Sequence, residues 1–571
     1  MDFQVIRREH PQLDATRFIN GIISQRPAKI VNQKPYLPPQ DMPKANNWIV
    51  QKFGGTSVGK FPLKIAEDII LAGLKPGHRI AVVCSARSST IKSEGTTTRL
   101  VRAAHDVLDP HSSQFREIVE TIQNDHLQAG KDACNIWGSA THSEIYEAYS
   151  KAVNAECQTL LKILEAAQYL RAVTDRTEDM VISVGEKLSC LYMAALLQTR
   201  GVPAAFVDLS DVISPAMGEN LNETFYQQLG EAIAKKIAAL GPDTVPVITG
   251  YFGCVPGGLL KEVGRGYTDL CAALTAVGLK ARELQIWKEV DGIFTADPRK
   301  VPTARLLDSV TPAEAAELTF YGSEVIHPFT MDQVIRASIP IRIKNVMNPR
   351  GNGTIVRPDP TETPGVINNP RKGFFRSRSL SYLLAKSSAA GKQPKRPTAV
   401  TIKRGITVLN VHSKKRTRAH GFLASIFRVL DQFHLSVDLI SSSEVHVSMA
   451  LHSERSLLSC LPHPASPGSA QREPDDLHIE SAALQGAVDA LQGLGDIDLL
   501  PNMAIISLVG RQLRTMIGIS GKFFSTLGEN GVNIEMISQG ASEINISCVI
   551  AERDTDRALN VVHTNLFTFL E

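Results

Sequence analysis

A lysine ahead of two glycines and two hydroxyl residues is equipped to hold phosphate, and this chain carries that string at Lys52-Phe53-Gly54-Gly55-Thr56-Ser57-Val58-Gly59-Lys60. Gly54 to Lys60 also satisfies G-x-x-x-x-G-K, but Phe61 follows where a P-loop needs the Ser or Thr hydroxyl that binds magnesium. A different geometry fits better. Lys52 closes a strand with its ammonium over the turn, Gly54 and Gly55 let backbone N–H groups approach phosphate oxygens, and a helix N-terminus behind them adds a favourable dipole. Taken alone, a Gly-Gly turn is also plain strand-to-helix geometry.

Arg265 lies in a glycine-flanked loop, Gly264-Arg265-Gly266, so its planar fork is free to hold a carboxylate in a bidentate pair; a surface arginine is the plainer reading. Thr268 and Asp269 then open a helix through Leu270, Ala273 and Leu274, where either could be the N-cap. Asp291-Gly292 and Asp297-Pro298 are turn chemistry first.

These side chains need a frame. Trp48 to Phe53, Ile80 to Cys84, Val245 to Gly250, Leu284 to Trp287 and Ile341 to Ile343 are β-rich apolar runs. Helix-like stretches such as Leu270 to Val277 and Met331 to Ala337 stand beside them. Buried strands alternating with helices predict an α/β domain with a largely parallel sheet covered on both faces, whose ligands sit at the carboxyl ends of strands. The segment Ser85 to Thr98 reads as a polar loop.

With 571 residues there is room for three or four domains. Charge is nearly balanced, 61 Lys and Arg against 58 Asp and Glu, and 6% aromatic content offers few stacking platforms, so nucleic acid is not an expected partner. No window has about 18 uninterrupted apolar residues, and MDFQVIRREH puts charges where a signal peptide has its apolar stretch; no membrane partner and a cytoplasmic location are expected. Eight scattered cysteines without a C-x-x-C pair suit reduced thiols, and no metal cluster is expected. Residues 1–46 read as an extended arm. Residues 358–400 read as a basic Pro/Ser-rich linker, with eight Lys or Arg and no acid from Pro370 to Arg396.

The C-terminal part repeats itself. Gly421 and Gly518, like Ile440-Ser441 and Ile537-Ser538, are offset by 97 residues. Each unit reads as strand, helix, strand, strand, a tandem of ferredoxin-like type over 401–500 and 501–571, with a Pro-rich surface loop at 462–474 in the first.

Lys-Phe-Gly-Gly-Thr-Ser-Val resembles the N-terminal signature of the aspartate kinases, members of the amino-acid kinase family. Val83-Cys84-Ser85-Ala86, Gly185-Glu186, Gly264 to Asp269 and Trp287 to Arg299 resemble that family's further blocks in order, and the doubled C-terminal unit is similar to tandem ACT domains. The match is closest to the fungal form and covers roughly 47–357 and 402–571. It implies a carbamate kinase-like three-layer α/β/α sandwich followed by two ACT units. The implied reaction moves the ATP γ-phosphoryl group, with Mg2+, to the β-carboxylate of L-aspartate. That acceptor is already ionised at neutral pH, so no general base is required. The site must instead hold two anions in line and neutralise charge.

The resemblance implies Lys52 and Asp269 as catalytic residues, Lys52 bridging the phosphates and Asp269 orienting it. Ser85, Thr97, Glu186, Arg265 and Thr268 would contact substrate, with Glu186 taking the α-ammonium. Gly54, Gly55, Ser57, Lys288, Phe294 and Arg299 would contact nucleotide along with Lys52. Many bacterial relatives have Lys where Glu324 stands, so no nucleotide role passes to Glu324, and His327 before Pro328 reads as structural. In relatives the ACT units pair across a dimer, which implies a homodimer or homotetramer here, and Phe422, Leu423, Val437, Asp438 and Glu444 would hold an end-product amino acid, threonine for a fungal chain. Two other readings stand beside this one: a kinase of the same fold acting on glutamate, acetylglutamate or carbamate, and a non-catalytic amino-acid sensor.

Overall fold

The apolar runs form the strands of one sheet. In the computed structural model these are β1 (Trp48–Phe53), β2 (Arg79–Cys84), β3 (Ala204–Val207), β4 (Val245–Thr249), β5 (Glu283–Lys288), β6 (Ser309–Val310), β7 (Ile341–Asn345) and β8 (Thr354–Val356). They lie in the order β3-β4-β2-β1-β5-β7-β8-β6, parallel throughout except between β7 and β8. The described residues are 47–357 and 396–568, less 89–93, 135–139, 215–216, 218–219, 256, 322–325, 327, 415–420, 444, 453–457, 461–476, 512 and 541–543. The arm 1–46, nearly all of the basic segment, the 462–474 loop, Glu324, His327, Glu444 and the side chain of Arg265 lie outside them.

Because strand residues alternate faces, β1 feeds two cores. Phe53 joins one with Leu100, Val119, Val153 and Val181, while Val50 joins the other with Val83, Leu229, Leu270 and Ile286. The first face is covered by α2 (Thr96–Asp106), α3 (Gln114–Cys134), α4 (Ala140–Leu170) and α5 (Asp175–Thr199), all following the short α1 (Gly55–Lys60). The second is covered by α6 (Glu223–Ala238), α7 (Tyr267–Gly278), α8 (Pro312–Phe320) and α9 (Pro328–Arg336). The result is the expected three-layer sandwich. One correction belongs here: the stretch read as a polar loop to Thr98 ends earlier, since Thr96 to Thr98 already turn into α2. Helix α5 is apolar and long enough to cross a bilayer, but 83% of its apolar window is buried inside the protein.

The repeated half builds a second, antiparallel sheet from β9 (Ala399–Ser413), β10 (Val437–Ser442), β11 (His446–His452), β14 (Gly495–Val509), β15 (Met536–Ser538) and β16 (Asn545–Ala551), ordered β10-β11-β9-β14-β16-β15. A separate pair, β12 (Leu458–Cys460) with β13 (Leu477–Ile479), spans the Pro-rich loop. Helices α10 (Phe422–Gln432) and α11 (Ala482–Leu491) cover one end of the sheet, and α12 (Ile519–Glu529) and α13 (Thr555–His563) the other. Gly421 and Gly518 both cap their helices in the left-handed region, at φ 85° and 80°. The two 15-residue strands belong to both ends. Gly495 to Leu500 pair with Ser413 to Val408, and Ile505 to Val509 pair with Lys403 to Ala399, with a register shift between.

Candidate active site

Lys52 stands next to last in β1, and Asp269 is the third residue of α7. Their side chains meet at 2.8 Å and are only 13% and 14% exposed. The cap position of α7 is Gly266, with no side-chain hydrogen bond, so neither Thr268 nor Asp269 caps the helix. Both side chains are therefore committed to the crevice. Asp269 restrains Lys52, and Thr268 donates to Glu186 Oε1 at 2.8 Å. Ser85 Oγ lies 3.5 Å from the same threonine hydroxyl.

Glu186 is fully buried in α5. Burial pushes its carboxyl up to about 7, against the opposing pull of the Thr268 and Tyr267 hydroxyls and the Lys52 charge. Its Oε2 makes no hydrogen bond among the described residues. A buried acceptor left open in a crevice suits a cationic donor, because leaving it unpaired costs about 1–3 kcal/mol. Gly185 and Gly250 make the approach possible. A Cβ on Gly250 would lie 2.5 Å from Thr268 Cγ2 and 2.9 Å from Glu186 Oε1, and one on Gly185 would press on Ala86, Thr96 and Leu100. Thr97 sits half-buried in the first turn of α2. Arg265 occupies the turn Gly264–Gly266 directly before α7, so its backbone adjoins Thr268 and Asp269.

The glycine turn has a packing reason as well as a chemical one. A Cβ on Gly55 would fall 1.9 Å from the Ala86 carbonyl oxygen, and one on Gly59 equally close to that of Ser88. The Gly54 turn is open, with extended backbone at φ −72°. Helix α1 thus lies flat against the loop that carries Ser85, and Ser88 N–H donates to the Gly55 carbonyl at 3.0 Å. Ser57 Oγ donates to Glu289 at 2.6 Å, tying α1 to the residue after β5 and Lys288; Glu289 falls in the Trp287 to Arg299 block but was given no role of its own. Phe294 and Arg299 lie elsewhere. They line a cavity of about 480 Å³ whose opposite wall is Val400, Thr401, Ile402 and Leu559, and no hydrogen bond or ion pair among the described residues joins them to Lys52 or Asp269.

In the repeated half, Phe422 is half-buried and Leu423 exposed at the start of α10, with Val437 and Asp438 on the neighbouring edge strand β10. The Asp438 carboxylate already has a cation: Lys403 Nζ stands 2.6 Å away.

A parallel sheet with a lysine, a glycine turn and a buried acid gathered at its carboxyl edge defines a small-molecule phosphotransferase site. Residues 47–345 match the amino acid kinase family, and residues 506–566 match the ACT domain. The aspartokinase of Schizosaccharomyces pombe is 50% identical over 91% of this chain and 93% of its own length, and that of Saccharomyces cerevisiae is 50% identical over 92% and 93%. Escherichia coli aspartokinase III, solved in complex with aspartate and ADP in its R-state, superposes with a TM-score of 0.64 at 26% identity, covering 91% of this chain and 99% of that one. The same enzyme with lysine and aspartate, in its T-state, gives 0.65. The chain belongs to the aspartokinases of the amino acid kinase family.

Proposed function

We propose that this chain transfers the γ-phosphoryl group of ATP to the β-carboxylate of L-aspartate, giving 4-phospho-L-aspartate for homoserine, threonine and methionine synthesis in the cytoplasm. The observation that carries the reading is the Lys52–Asp269 pair beside the Glu186–Thr268 hydrogen bond in one crevice. Asp269 holds the ammonium of Lys52 at the phosphate end, where it offsets charge on the group in flight. Glu186 takes the substrate ammonium on its open oxygen, with Thr268, Ser85 and Thr97 around the same end, and Arg265 holds the α-carboxylate. Gly54, Gly55, Ser57, Lys288, Phe294 and Arg299 flank the nucleotide.

Mg2+ would arrive on the nucleotide in this reading. Magnesium bound to the phosphates would neutralise their charge. Asp269 is the carboxylate beside Lys52 available to face it.

Threonine is the effector we assign to Phe422, Leu423, Val437, Asp438 and Glu444, binding the low-activity state in preference. Leu423, Phe427 and Ile440 leave apolar surface exposed around this region, in keeping with self-association through the ACT units. The test is a coupled assay or hydroxamate trapping with aspartate, glutamate and carbamate, with and without threonine or lysine. Turnover with aspartate, lost in Lys52→Ala, supports the reading. Turnover with glutamate or carbamate alone, or none with any acid, overturns it.

A further inference from the structure

The arm between β5 and β6 is bolted to the last helix of the regulatory half through one histidine. In the arm, Ile293 to Thr295 run antiparallel to Arg305 to Leu307: Thr295 N–H donates to the Arg305 carbonyl at 2.9 Å, and Leu307 N–H to that of Ile293 at 2.8 Å. Ala296 and Val301 leave the kinase sheet altogether and join the core of Val400, Leu559, Val562 and Phe567. Thr295 is the hub. Its carbonyl accepts from Val400 N–H at 2.9 Å, its Oγ1 accepts from Arg305 N–H at 2.9 Å, and the same oxygen stands 2.8 Å from His563 Nε2.

His563 is fully buried, stacked on Phe567 at 4.9 Å between centroids, and its Nδ1 lies 3.2 Å from Thr303 Oγ1. Burial, and secondarily the Arg305 charge, lower its pKa, so the ring is neutral at neutral pH. A neutral ring donates from one nitrogen and accepts at the other, and the Thr295 and Thr303 hydroxyls can each serve in either role. One imidazole therefore contacts both limbs of the arm; the Asp297 to Lys300 turn that carries Arg299 lies between the clamped points, and Phe294 directly precedes the first.

We propose that His563 is a positioning residue for nucleotide binding, holding Thr295 and Thr303 so that Phe294 and Arg299 keep the shape that meets ATP. This rests on the nucleotide role given above to Phe294 and Arg299. The imidazole links the two limbs to a helix that belongs to the amino-acid-sensing unit.

The test is steady-state kinetics on the full chain, with thermal unfolding alongside, for His563→Leu, His563→Gln, Thr303→Val, Phe294→Ala and Arg299→Ala. Losing both imidazole hydrogen bonds in His563→Leu is expected to raise the KM for ATP about tenfold. The KM for aspartate should stay within about twofold, and His563→Gln, which can still donate and accept, should recover most of the loss. Thr303 is exposed, so Thr303→Val keeps the core and should raise the ATP KM severalfold even if His563→Leu does not fold. If Phe294→Ala or Arg299→Ala weakens ATP while the His563 and Thr303 variants do not, or if Leu and Gln act alike, His563 merely fills the core and the proposal is wrong. If none of the five moves the ATP KM, the nucleotide role of the arm falls, and the proposal with it.

Discussion

Asp438 on the edge strand β10 and Lys403 on the inner strand β9 stand 2.6 Å apart, their side chains 6% and 15% exposed, and the same Lys403 ammonium lies 4.7 Å from the centre of the Phe320 ring at the end of α8. An amino-acid effector that uses Asp438 must therefore displace a lysine already touching the kinase half. Asp438→Asn should raise the threonine concentration for half-inhibition by about tenfold or more, since it removes a charge-assisted bond worth about 1.5–3 kcal/mol. Lys403→Met should lower that concentration, because an unpaired buried carboxylate welcomes the incoming ammonium. Inhibition curves that coincide for all three proteins would remove Asp438 from the effector site.

Lys52→Ala should depress kcat by about 10²–10³-fold with a much smaller change in either KM, since the ammonium acts mainly on charge developing in the transition state. It also strands Asp269, so thermal unfolding should show a loss of stability that Asp269→Asn in the same chain partly restores. A kcat within a fewfold of the parent would contradict the role.

Glu186 gives a pH signature. Burial pushes its carboxyl up to about 7, and in the role proposed for it only the carboxylate would pair with the substrate ammonium, which stays protonated between pH 6 and 8. The KM for aspartate should rise severalfold as pH falls from 8 to 6, approaching about tenfold per unit well below 7, and Glu186→Gln should flatten the profile. The stability sign is opposite to that of a salt-bridged acid. The folded pKa lies above the ordinary 4.5, so the charged form is disfavoured and the empty protein loses stability as pH rises from about 4.5 through about 7. Chemical unfolding at pH 5 and 8, with and without Glu186→Gln, checks this.

Gly55→Ala should cost about 1–3 kcal/mol in denaturant unfolding and should also weaken aspartate binding, because its methyl group must push back the Ala86 carbonyl and with it Ser85. A substitution tolerated on both counts would show that α1 and the Ser85 loop move independently.

Much of this was legible in the sequence for a physical reason. β1, β2, β4, β5 and β7 are apolar runs that declare themselves, and the pairing of β1 with both β2 and β5 is what brings the string around Lys52 to the middle of the sheet. Helix α5 was silent. It is buried on nearly every side, from Val181 through Leu197, so it shows no amphipathic stripe to read. In β9 the apolar pattern that starts at Ile406 is interrupted before it by Lys403-Arg404-Gly405, where the strand shifts register and Gly405 sits at φ 70°, so the full 15-residue strand has no continuous signal. Lys52, Asp269, Glu186, Thr268 and Ser85 converge as a group, whereas the contact of Thr295 with His563 spans 268 residues and had no local signal. Gly55 was read for what it offers phosphate, and its steric need against Ala86 could not be foreseen without the fold.

The two long strands shared by the ACT units impose an order of assembly. Residues 399–403 leave the ribosome first but find their paired strand only in 505–509, after the whole intervening unit has been made. The nascent edge must wait roughly a hundred residues for its mate, and the first unit can close before the second. A chain severed between them would leave the later unit lacking one of its own strands, so the sensing half is fashioned as one interlaced body and cannot be parted cleanly at its midpoint.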